Sequence, residues 1–441
     1  MMATAPELLP YERIREDLFR PLSGVSRRYV VATIAAFIVG AAGLLAWCYQ
    51  LYRGMGVTGL HRPIFWGFYL VDFVFWIGIS HAGTLISAIL RLTNATWRKP
   101  VTRAAEAITV FALMIGGMFP IIHLGRAWLF FWLFPYPNSR LLWPNFRSPL
   151  LWDVTAISTY LTGSIIYLYL PLIPDLAQLA EQHISPFRRK LYRVLSLGWV
   201  GNDRQWHALE RAMKLSACSI LAVAISVHTV VAWDFAMSIA PMWHSTIFGP
   251  YFVSGAIFSG IAALILVMAS LRKLLGLESY LTQHHFNQLS KLLLLMSLLW
   301  VYFTFAENLT VWYGNDPSEM AVFGARTRAA YAPIFWTMVF LNSIVPLVLL
   351  GIHRLRSIRT ACIASACVVV GMWLERFIII VPTLTNPRLN AATSSYFPTW
   401  VEIAITAATF AAMVMLYMIF GKTVPIIAVW EFKPHPDPDE D

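Results

Sequence analysis

Residues 66–90 read WGFYLVDFVFWIGISHAGTLISAIL, and this stretch decides the fold class. At about 1.5 Å per residue a helix of this length crosses the roughly 30 Å hydrocarbon core of a bilayer. It carries two polar interruptions, Asp72 and His81. Nine residues turn a helix through about 900°, so the two side chains leave opposite faces about 13 Å apart along the axis. They are separate features of one membrane helix and cannot form one catalytic pair.

The same hydropathy recurs along all 441 residues, of which 58% are hydrophobic and 13% charged. Soluble domains carry about 25% charge. The chain reads as an all-α integral membrane protein of about ten transmembrane helices, near 29–52, 64–90, 104–133, 149–172, 213–239, 247–270, 290–312, 330–352, 360–382 and 398–421. Four segments follow: a polar N-terminal segment 1–28, spans 1–5 over 29–239, spans 6–10 over 240–421, and a tail 422–441. Spans 2–5 and 6–9 are expected to form two four-helix bundles, with His123 of span 3 the positional counterpart of Glu307 of span 7.

Basic residues set the orientation. The outer loops would hold Arg53, Arg62, Arg140, Arg147, Arg326, Arg328 and Arg388, while most of the 33 Lys and Arg residues fall in segments on the other side. Both termini are therefore expected in the cytoplasm. This asymmetry accounts for the formal charge of +10 without invoking nucleic acid. The first span lacks a small-residue cleavage site and reads as a retained helix. The basic, aromatic segment 173–212 suits an anionic membrane surface, and the tail EFKPHPDPDED suits an extended, solvated chain.

Four cysteines, Cys48, Cys218, Cys362 and Cys367, form no CxxC or CxxCH motif, which argues against a cysteine-held cluster, zinc or covalent haem in this chain. There is no Walker motif and no HExxH. His284 and His285 fall in an inner loop, as a solvated pair.

Ionisable side chains inside a bilayer cost at least about 2.5–3.5 kcal/mol at mid-depth, so each is a candidate for function. Span direction gives their depth. Span 3 carries His123 outward in MFPIIHLGRAW, span 4 starts outside with Asp153 in SPLLWDVTAI, and span 5 brings Asp234 outward in HTVVAWDFAMS. Three titratable groups on consecutive helices thus reach similar depth in the outer half. Asp72, Glu307, Glu375 and Arg376 also fall in outer halves, and Arg126 lies one turn beyond His123. His81 lies deeper. His81, His123 and His228 could supply axial pairs for a b-type haem, and His228 and Asp234 point about 240° apart.

A histidine and two carboxylates beside an apolar slot suit quinol oxidation, which releases two electrons and two protons and needs acceptors for both hydroxyls. Trp128, Trp152 and Trp233 are near enough in sequence to line such a slot, or to belong to the interfacial aromatic belt. A non-redox transporter whose intramembrane charges form a pathway is the rival reading, although no matched pair of broken helices supports it.

The stretches WGFY and FWIGISHAGTLISAIL, MIGGMFPIIHLGRAWLFFWLFPYPNSRLLWPNFRSPLLWD, and HTVVAWDFAM resemble helices two to five of the NrfD/polysulfide-reductase family. Within it they are most similar to the ActC branch, the quinol-oxidising member of bacterial alternative complex III. The resemblance implies a bacterial inner-membrane protein that holds no prosthetic group and binds quinol or menaquinol near the periplasmic face. His123, Asp153 and Asp234 match the family's pocket residues, with Arg126 and Asp72 beside them. His81, Asp72, Glu307, Glu375, Arg376 and His228 would map to polar proton paths. Implied partners are c-type cytochromes carrying haem c, an iron–sulfur, molybdopterin-oxidoreductase-like subunit, a homologous membrane subunit and a terminal cytochrome c oxidase. The alternatives within the family are a membrane anchor of a molybdopterin oxidoreductase, or the ActF-like proton-conducting sister.

Overall fold

The computed structural model describes residues 10–134, 146–182, 185–388 and 395–433. The tail from 434 onward, and Arg140 with its loop, lie outside the described residues. An amphipathic helix α1 (Tyr11–Ser23) buries Ile14 and Leu18. It is followed by α2 (Arg27–Arg53), α3 (Gly67–Leu92), α4 (Thr102–His123) and α5 (Pro149–Tyr169). A 3-10 turn joins α5 to α6 (Ile173–Ala180), and α7 (Pro186–Leu195) leads into α8 (Asp203–Ala236). Next come α9 (Phe248–Leu274), α10 (Gln283–Gly314), α11 (Pro317–Thr327), α12 (Ala332–Val339), α13 (Val345–Gly351), α14 (Ile358–Thr385) and α15 (Trp400–Thr423). Ten of the described helical segments are long and apolar enough to cross a membrane, and the chain is a multi-pass integral membrane protein.

Helices α3, α4, α5 and α8 close into one ring, each touching its neighbours. Helices α9, α10, α13 and α14 close into a second in the same order, with α12 continuing the α13 span. Helix α3 sits between them, against α8 of its own ring and α9 and α14 of the other, while α2 and α15 pair outside. This explains why residues 66–90 are so apolar: α3 is buried over almost its whole length and contributes little to the lipid surface.

Small residues let α3 approach its neighbours. A β-carbon on Gly83 would lie 2.0 Å from the Ala105 carbonyl oxygen of α4. Backbone contact of this kind, rather than water exclusion, is what holds helices together in lipid. Helix ends are satisfied locally: Asn202 Oδ1 accepts from Gln205 N at 2.9 Å, and Ser357 Oγ accepts from Thr360 N at 3.2 Å.

Several spans depart from the hydropathy expectation; span 7 starts at Gln283, so His284 and His285 lie in the first turn of α10 instead of a loop, and His285 is buried and forms a capping box with Thr282. Span 3 was expected to run to 133, but α4 ends at His123 and the chain turns at Gly125, whose φ of +67° disfavours a side chain. Residues Ala127–Leu133 then form an aromatic 3-10 segment. Span 5 is longer than expected, because α8 begins at Asp203 and extends beyond the apolar window. Span 8 is broken by a π-helical turn, Phe340–Ile344. Pro346 lacks an N–H, and the Asn342 carbonyl instead accepts from Ser297 Oγ at 2.7 Å.

The interior also holds an ion pair that hydropathy did not single out. Arg103 and Asp175 meet at 2.6 Å with 1% and 0% exposure. Arg103 also donates to the Pro171 and Pro425 carbonyls, and Asp175 accepts from Val429 N and Trp430 N at 3.2 Å each. Together they fasten the segment after α15 across the ends of α4 and α6.

Candidate functional site

One end of the first ring opens into a cavity of about 670 Å³ between α3, α4, α5 and α8. Its walls are mostly apolar and aromatic, with Trp66, Tyr69, Phe73 and Phe119 prominent. Three titratable side chains face it: His123 from the last residue of α4, Asp153 from the second turn of α5, and Asp234 from the last turn of α8.

The histidine is held by its neighbours. Its ring stacks on Trp66 with centroids 3.9 Å apart and planes 19° from parallel, and Tyr69 meets it edge-on at 6.3 Å. Tyr69 donates to Gln50 Oε1 at 2.5 Å, and Gln50 Nε2 donates to the Ile122 carbonyl at 3.1 Å. That carbonyl belongs to the last turn of α4, where the helix has no further N–H to offer. Trp66 is set in turn by Phe68 N donating to Tyr396 Oη at 2.9 Å, with Tyr396 donating to Glu402 at 2.5 Å. Elements distant in sequence, α2 and the start of α15, therefore fix the floor of the cavity.

Asp153 and Asp234 lie within hydrogen-bonding reach of each other. Two carboxyls placed this close together, out of water, are able to share a proton. Among the described residues, His123 Nδ1, Asp153 Oδ1 and Asp234 Oδ1 are buried and have no hydrogen-bond partner. Three unmatched polar atoms on an apolar wall fit a flat apolar molecule with hydroxyl or carbonyl groups.

The other residues singled out from the sequence lie elsewhere. Arg126 is exposed and does not line the cavity. Asp72 is fully buried and faces away, accepting from Trp373 Nε1 at 2.8 Å and Thr406 Oγ1 at 2.5 Å on α14 and α15. Trp152 and Trp233 meet edge-on at 6.5 Å outside the cavity, and Trp128 is exposed. The aromatic wall comes instead from Trp66, Tyr69 and Phe73 at the start of α3, from Phe119 of α4 with Phe130 and Phe134 after it, and from Phe235 and Trp243; of these, the sequence marked the start of α3 through the run WGFY.

His81 and His228 are in contact, with ring centroids 4.4 Å apart. Rings this close leave no space for a porphyrin between them. His81 Nδ1 lies 2.6 Å from the Ile77 carbonyl, which fixes the proton on Nδ1, and Nε2 has no hydrogen-bond partner among the described residues. Farther across the interface, Arg376 pairs with Glu375 at 2.9 Å and lies 4.7 Å from the centre of the Phe252 ring. Glu375 accepts from Trp300 Nε1 at 2.5 Å, and Glu307 pairs with Arg326 at 3.6 Å. At the opposite end of the ring, Glu106 accepts from Ser87 at 2.5 Å and lies 4.0 Å from Arg91. Glu106 carried no motif in the sequence. No three His, Cys, Asp or Glu side chains converge as a metal site among the described residues.

The family model described as polysulphide reductase, NrfD, matches residues 56–387. Relatives include a putative dimethyl sulfoxide reductase membrane subunit of Halobacterium salinarum, 25% identical over 87% of this chain and 88% of that protein. A selenate reductase subunit of Mesobacillus selenatarsenatis is 24% identical over 89% of this chain and 93% of that protein. An Hdr-like menaquinol oxidoreductase integral membrane subunit of Archaeoglobus fulgidus is 23% identical over 93% of this chain and 96% of that protein.

Proposed function

The chain belongs to the polysulphide reductase NrfD family, and from that premise we propose that it is the quinol-reactive membrane subunit of a molybdopterin-type oxidoreductase. It would pass electrons from menaquinol to an iron–sulfur partner docked over the His123 end. The observation that carries this reading is the set of three unpartnered polar atoms in one aromatic cavity. The relatives named as dimethyl sulfoxide reductase and selenate reductase subunits favour this assembly over alternative complex III, and the one named a menaquinol oxidoreductase subunit supports the substrate.

In this reading the quinol ring lies against Trp66 and Phe73. One hydroxyl gives its proton to His123 Nδ1 and the other gives its proton to the Asp153–Asp234 pair. The ring leaves as quinone, and its two electrons pass to the partner's cluster. Both protons are released on the side where the cavity opens, the periplasmic side if both termini are cytoplasmic. Asp72 ties α3 to α14 and α15, and neither it nor Arg126 lines the cavity.

Replacing His123 with Ala in the assembled complex should lower quinol:acceptor turnover by about 10²–10⁴, the usual contribution of a positioned acid–base group. Turnover near wild type would sink the assignment. Alternative complex III remains the second reading, because His123, Asp153 and Asp234 are the residues that match its ActC branch. Identifying the co-purifying proteins separates the two: a molybdopterin-binding catalytic partner supports the first, and c-type cytochromes with a second homologous membrane protein support the other.

A further inference from the structure

We propose that a second cavity, at the end of the bundle opposite His123, binds the phosphate-bearing headgroup of an acidic phospholipid. The cavity has a volume of about 570 Å³ and is walled by the start of α1, the end of α3 with its following loop, α8 and the segment after α15.

Its charge is the first observation. Arg91, Arg98, Lys99, Lys214 and Lys433 line it, against two carboxylates, Glu210 and Glu431. Glu431 Oε1 is engaged by Arg98 at 2.8 Å and Arg91 at 3.5 Å, while its Oε2 has no partner among the described residues. Lys99, Lys214 and Lys433 make no ion pair among the described residues. Arg91 is 8% exposed and its Nε has no partner among the described residues, so a buried cation with an unspent donor borders a space that already has surplus positive charge. An anion is the missing member.

Depth and floor identify the kind of anion. The cavity is walled by the end of α3, the loop before α4 and the segment after α15, so it sits where these spans leave the hydrocarbon core, at headgroup level. Its floor is apolar, made by Ile14, Met213 and Trp430. Beside it, Leu92 of α3 and Leu215 of α8 are exposed where lipid chains run. Basic pockets between transmembrane helices at this depth suit acidic lipid headgroups. Inorganic phosphate shares the anion chemistry but has no use for the apolar floor.

The test uses the purified full-length chain, delipidated in detergent and titrated separately with phosphatidylglycerol, phosphatidylcholine and inorganic phosphate. Bound lipid is read by native mass spectrometry. Phosphatidylglycerol should be retained in preference to phosphatidylcholine. The double variant K214Q/K433Q should weaken that retention by roughly 25-fold, about fivefold for each interfacial cation. K190Q, an exposed lysine on α7, should leave it unchanged. All three lysines are exposed, and elution as a single species by gel filtration confirms that the variants fold. Equal retention of the two lipids overturns the proposal, as does a double variant that behaves like K190Q. Displacement of phosphatidylglycerol by millimolar phosphate overturns the lipid as the source of the anion.

Discussion

The carboxyl pair offers the sharpest test of the site's chemistry. Asp153 is 4% exposed, and it and Asp234 come within hydrogen-bonding reach from different helices, each with one Oδ1 unpartnered. Asparagine at either position keeps the volume and can donate to the surviving carboxyl, so the fold should persist. If the two act as one proton acceptor, D153N or D234N alone removes that acceptor. The loss would be about 10²-fold or more in turnover, or about 2.7 kcal/mol of transition-state stabilisation at 1.36 kcal/mol per decade. The double variant then has nothing further to lose and should fall by about the same 10²-fold, instead of the roughly 10⁴-fold expected for independent groups. The assay is steady-state menaquinol:acceptor turnover of the assembled membrane complex, with kcat and KM determined separately. Losses that multiply would refute the shared-proton argument, and single variants that turn over normally would refute the pair's involvement altogether.

Three further outcomes follow from the geometry. W66A removes the ring stacked on His123 at 3.9 Å and should raise KM for quinol by about three- to tenfold, the value of a lost aromatic contact; an unchanged KM excludes Trp66 from the substrate wall. D175N leaves Arg103 in the interior without its counter-charge and takes the acceptor from one of two backbone N–H groups, at a cost of about 3–5 kcal/mol. It should melt well below the double variant R103M/D175L in detergent, and a melting point equal to wild type would contradict the buried-pair argument. H81F tests whether the His81–His228 contact belongs to a proton path: turnover should be kept while the proton-to-electron ratio in proteoliposomes drops, and an unchanged ratio makes the pair a packing element.

The sequence by itself determined what depends on length and position along a helix. The bilayer demands about twenty apolar residues per crossing, so hydropathy marked all ten spans, and their positions held to within a few residues except where glycine, proline or a polar stem intervened. Depth is linear in residue number along a helix, so His123, Asp153 and Asp234 could be grouped at one level before any contact was known. Tertiary structure decided what depends on direction around each axis and on which helices are neighbours. Asp72 lies at a suitable depth but turns towards Trp373 and Thr406. His81 and His228, 147 positions apart in the sequence, meet because α3 packs against α8. Trp66 entered the cavity wall, and Trp152 and Trp233 did not, because Tyr396, Glu402 and Gln50 anchor the start of α3 over the end of α4. In lipid every face of a helix can be apolar, so hydropathy carries no record of which face meets protein; close backbone approaches such as Gly83 against Ala105 supply that information only once the helices are assembled.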